Sequence, residues 1–114
     1  MPNSAIGKYG YVAKHIGADK ERRSGSLTEA VGAEITELRK ERGWTQQKLA
    51  ELLGYDVRYI GQIERGEKSV TLRALAAIAE GLDVRASKIL STAEKMVEKV
   101  RNEREKRSSR SELD

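Results

Sequence analysis

The chain has 114 residues, 38% of them hydrophobic and 35% charged, with one proline, no phenylalanine and a formal net charge of +4. That lean composition suits one small all-helical domain with polar extensions, and it admits a polyanionic partner without requiring one. The absence of cysteine excludes disulfides, thiolate metal sites and cysteine catalysis, and no stretch approaches the ~18 apolar residues of a membrane span, so a cytoplasmic location with no membrane partner is expected.

Residues 1–26 are rich in glycine, lysine and arginine and hold no helical period, which predicts a flexible basic arm. Within it, Tyr9 to Val12 is a candidate short strand, and the lone histidine, His15, has no cysteine or carboxylate cluster around it to make a metal site. Ser26 and Glu29 have capping-box spacing, so an ordered domain is expected over residues 27–90. Val31, Ile35 and Leu38 then recur on one helical face, with Glu34, Glu37, Arg39, Lys40 and Glu41 opposite. Gly43 ends this first helix, and Arg42 sits near its negative end.

Thr45 is placed to cap a second helix with Leu49, Leu52 and Leu53 as its apolar stripe, closed by Gly54. Asp56 caps a third helix, predicted over 56–64, in which Ile60 and Ile63 are the core residues. Thr71 caps a fourth with Leu72, Leu75, Ile78, Ala79 and Leu82 as its stripe. A fifth helix begins at Ile89 and Leu90 and continues as a helical extension over 91–107, with residues 108–114 expected to be disordered. Ile89, Ala93, Met96 and Val100 are spaced 4, 3 and 4 apart, a short heptad-like seam that predicts a homodimer contact; the competing reading folds the same residues back onto their own domain.

Two short helices joined through a glycine, the second pinned by apolar residues about one turn apart, make a helix-turn-helix, with Ala50 where the backbones approach. From Val31 to Leu90, and most specifically in "TQQKLA", "YIGQIERG" and "LRALAAIAEGLDV", the chain resembles the phage repressor and Cro-like helix-turn-helix family, often called the XRE family. The resemblance implies a five-helix repressor-like domain that binds double-stranded DNA, with the third helix in the major groove. Carried over by position, Val57, Arg58 and Gln62 would face bases, while Gln46, Tyr59, Arg65, Lys68, Ser69 and Arg73 would touch phosphates. Glu64 is read as pairing with an arginine and Trp44 as a lid on the core. Gly61 departs from the family, where a side chain is usual. No nucleophile–base set, phosphate loop or metal cluster is visible, so neither an enzyme nor a cofactor is expected. A transcriptional repressor is the first reading; an antitoxin or restriction-controller type protein, with a protein partner and autoregulatory DNA binding, is the second.

Overall fold

A computed structural model describes residues 18–113, with side chains from 26 to 109. These residues form five helices: α1 (Ala18–Glu41), α2 (Gln46–Leu53), α3 (Val57–Glu64), α4 (Leu72–Gly81) and α5 (Ala86–Leu113). The predicted caps hold three of them. Thr45 accepts a hydrogen bond from the Lys48 N–H at 3.0 Å, Asp56 from Arg58 at 2.8 Å and Thr71 from Ala74 at 3.0 Å. Each satisfies a donor that a helix start leaves without a partner.

One core joins all five helices, and Ile35, Leu49, Ile60, Ile63, Ile78, Leu82 and Ile89 are its largest fully buried side chains. α1 lies along α5 and crosses α3, while α2 packs on α3 and α4. Arg42 ties the C-terminal ends of α1 and α4 by donating to the carbonyls of Leu38 and Leu82. At Gly32 the α1–α3 crossing is so close that a Cβ would lie 2.2 Å from the Ile63 carbonyl oxygen.

Three expectations change. α1 begins at Ala18, so Ser26 lies inside it, and the Ser26–Glu29 pair does not start a helix. Ala18, Lys20, Glu21, Arg22 and Arg23 are good helix formers, and lengthening an existing helix avoids the cost of nucleation. The rest of the expected arm, including the Tyr9 to Val12 segment and His15, lies outside the described residues. Second, α5 is one continuous helix across the expected boundary at 90/91, and it runs through 108–113, where disorder was expected; no glycine or proline interrupts it. Third, Leu72 is 81% exposed and Leu52 51% exposed. Period alone assigns them to a stripe, but Leu72 opens its helix and its Cβ tilts toward the N-terminal end, away from the next turn of the core.

Candidate nucleic-acid interface

The turn between α2 and α3 is built by Gly54, whose φ of 75° is left-handed backbone that costs glycine nothing. The N–H groups of Gly54 and Tyr55 return to the Ala50 carbonyl, and Ala50 itself is buried. Ile60 and Ile63, each 1% exposed, fasten the inner face of α3 to the core. What remains outward is a stripe of Val57 and Gln62, half-buried, with Arg58 and Arg65 exposed, while Gly61 is buried with Ile60 and Ile63.

A buried polar network locks this stripe to the rest of the domain. Glu64, at the end of α3, accepts from Arg39 Nε at 2.7 Å and Arg39 Nη2 at 2.9 Å, a bidentate pair. Its Oε1 also accepts from the Gln46 amide at 2.9 Å, and Arg39 Nη1 donates to the Trp44 carbonyl at 2.7 Å. Burial pushes the Glu64 carboxyl up, but the hydrogen bonds from Arg39 and then Gln46, the Arg39 charge and the Thr36 hydroxyl together outweigh it and hold the group below its usual value. The first turn of α2, the end of α3 and the last turns of α1 thus share one ion pair.

Arg39 is therefore not on a solvated face; it is 9% exposed. Glu64 finds its arginine 25 positions away, a partner that no local pattern reveals. Gly32 was also missed, although a glycine inside an apolar-periodic helix is itself a signal of close approach.

Among the expected phosphate contacts, Gln46 spends one amide N–H on Glu64 and keeps the other. Tyr59 is half-buried beside Tyr55, their ring centroids 5.3 Å apart. Arg65 pairs with Glu67 through Nε, and Ser69 Oγ lies 3.4 Å from Thr28 Oγ1. Lys68 and Arg73 are exposed in and just after the loop that follows α3. Arg58 is exposed, and the adjacent Asp56 carboxylate accepts from both its backbone and its side chain. The backbone hydrogen bond from Arg58, followed by the side-chain one, lowers the Asp56 carboxyl.

The four residues of the expected dimer seam divide. Ile89 and Ala93 are fully buried in the chain's own core, so they are not available to a second copy, and for this half the fold-back reading holds. Their spacing was right for a seam but equally right for packing on the domain's own helices, and α1 and α4 take them. Met96 at 38% and Val100 at 48% stay exposed. With Val97, Ala30 and Ala33 they line an open groove of about 570 Å³ between α1 and α5. Among the described residues no cluster of metal-ligating side chains occurs, and no helix is long and apolar enough to cross a membrane.

Residues 35–89 match the family model described as "Helix-turn-helix". The HTH-type transcriptional regulator SutR of Escherichia coli (strain K12) is 39% identical over 66 residues, 58% of this chain and 37% of SutR, so this chain spans little more than a third of that relative. The restriction-modification controller protein C.AhdI from Aeromonas hydrophila superposes with a TM-score of 0.52 at 35% identity, over 55% of this chain and 94% of that one. The clp gene regulator ClgR from Corynebacterium glutamicum superposes with a TM-score of 0.65 at 28% identity, over 73% of this chain and 87% of that one.

Proposed function

Because the chain belongs to the phage repressor and Cro-like (XRE-type) helix-turn-helix family, we propose that it is a cytoplasmic, sequence-specific regulator of transcription that binds double-stranded DNA as a homodimer. It works by binding, with no chemical step and no cofactor. The observation that carries this reading is the outward stripe of α3, held rigidly by Ile60 and Ile63 beneath and by the Arg39–Glu64–Gln46 network at its end. A helix so fastened can enter a major groove without losing its angle.

In that reading Arg58 and Gln62 bond base edges and Val57 touches a thymine methyl. Gln46, Tyr59, Arg65, Lys68, Ser69 and Arg73 hold phosphates on either side, and the free N–H groups at the start of α2 favour an anion there. The remaining seam residues, Met96 and Val100, supply the pairing surface together with the α1–α5 groove. The alternative is an antitoxin or restriction-controller type protein with a protein partner and autoregulatory DNA binding; its support is the likeness to C.AhdI, which is named as a restriction-modification controller protein.

A salt titration tests the reading. Affinity for duplex DNA should fall with a log–log slope of about −0.9 per neutralised phosphate, steep if several of these contacts form. Gln46→Ala should weaken all duplexes about evenly, because phosphate contacts position without specifying. A flat titration between low and physiological salt contradicts the proposal.

A further inference from the structure

We propose that Gly61 is a seat on α3 beneath the Arg65 side chain, positioning the Arg65 guanidinium to clamp a DNA backbone phosphate beside Gln46. The inference rests on the DNA-binding reading above and gives this chain a positioning residue for a phosphate contact.

Gly61, one turn from Val57 and one turn from Arg65, is buried, with the side chains of Arg65 and Gln46 lying over it. A glycine there weakens the helix relative to alanine and offers no group to a base. Its surroundings explain what the vacancy does. A Cβ at position 61 would lie 2.9 Å from Arg65 Nη1 and 3.7 Å from Arg65 Cζ, and 3.6 Å from Gln46 Oε1. The guanidinium therefore folds back over the helix into space that any side chain would fill. Packing does not demand the glycine: the nearest atoms belong to the end of a flexible side chain, whereas at Gly32 they are backbone carbonyls.

Arg65 brings the donors to the seat, and the Gln46 atom turned toward it is the amide oxygen, an acceptor. Arg65 uses Nε on the Glu67 carboxylate, one of its five N–H groups. Gln46 gives one amide N–H to Glu64, which fixes the amide and leaves its second N–H. The positive end of α2 begins at that same residue. The Arg65 cation thus lies over the notch beside the start of α2, and a guanidinium next to a helix N-terminus matches a phosphate better than a base edge. Glu67 adds a condition: near a phosphate its carboxylate is repelled, so Arg65 exchanges one anionic partner for another.

The test is a double-mutant cycle on duplex binding, measured against salt and with thermal melting. Gly61→Ala should melt at or above the wild-type temperature. It should nevertheless bind about three- to tenfold more weakly at physiological salt, with a slope shallower by about 0.9, one phosphate's worth. Arg65→Ala should show the same slope loss, and adding Gly61→Ala to it should change nothing further. The seat is overturned if Gly61→Ala binds with unchanged affinity and slope, or if its effect persists in the Arg65→Ala background. A Gly61→Ala chain that melts well below wild type also overturns it, since glycine would then be a packing requirement. A wild-type chain that binds no duplex even at low salt overturns the DNA-binding reading and this inference with it; failure of the cycle alone overturns only the seat.

Discussion

Two residues separate what is tolerated from what is not. Gly32→Ala should gain about 1 kcal/mol of helix propensity in an open helix. Here the new methyl would meet the Ile63 carbonyl at 2.2 Å and the Glu64 carbonyl at 2.8 Å, so α1 and α3 must separate. A net loss of about 1–3 kcal/mol is expected in urea unfolding, the usual cost of forcing atoms into a packed interface. Glu64 is the second. Removing its carboxylate leaves Arg39 buried without its partner, and Glu64→Ala should cost about 3–5 kcal/mol at neutral pH. The same pair sets a pH dependence. The folded Glu64 carboxyl lies below its unfolded value of about 4.3. Its contribution is therefore complete above that value and is lost as pH falls through the folded one. Glu34, raised by burial and by Glu41 against the opposing Lys88, works in the opposite sense. Melting temperatures between about pH 5 and pH 3 should fall in the wild type, and a Glu64→Gln chain should show a flatter decline.

Among the elements, caps and periods were legible in the sequence because they are local. Thr45, Gly54, Asp56 and Thr71 each act within four residues, and each stands at the helix end that its chemistry suggests. Ile60 and Ile63 were readable as core for the same reason. The long-range facts were not. Nothing in the sequence links Arg39 to Glu64, or tells whether the apolar residues of α5 face a second copy or their own domain. The heptad spacing of Ile89, Ala93, Met96 and Val100 fits both arrangements; the first turns of α5 lie on the chain's own core, while Met96 and Val100 stay exposed. Two variants separate these roles. Ile89→Glu puts a charge into the core and should unfold the chain. Met96→Glu with Val100→Glu should leave the melting transition cooperative and shift sedimentation from dimer toward monomer. A double variant that dimerises like the wild type removes these residues from the pairing surface.

At the scale of the molecule, a single helix in the major groove reads only a few base pairs, which is why the proposed reading pairs two copies on one site. The formal charge of +4 contributes attraction to any duplex but no choice among sequences. In the proposed reading choice comes from Val57, Arg58 and Gln62, three side chains on a helix of eight residues. Losing Arg58 or Gln62 should cost about 1–3 kcal/mol on the preferred site and relax one base position in each half-site. Selection of bound duplexes from a random pool, run in parallel with wild type, Arg58→Ala and Gln62→Ala, is the most direct test of the whole account. The account predicts two related half-sites with centres about 10 base pairs apart, or a multiple of one helical turn, and a different relaxed position for each variant. Recovery of no sequence preference by the wild type, or of the same preference by all three folded proteins, would contradict it.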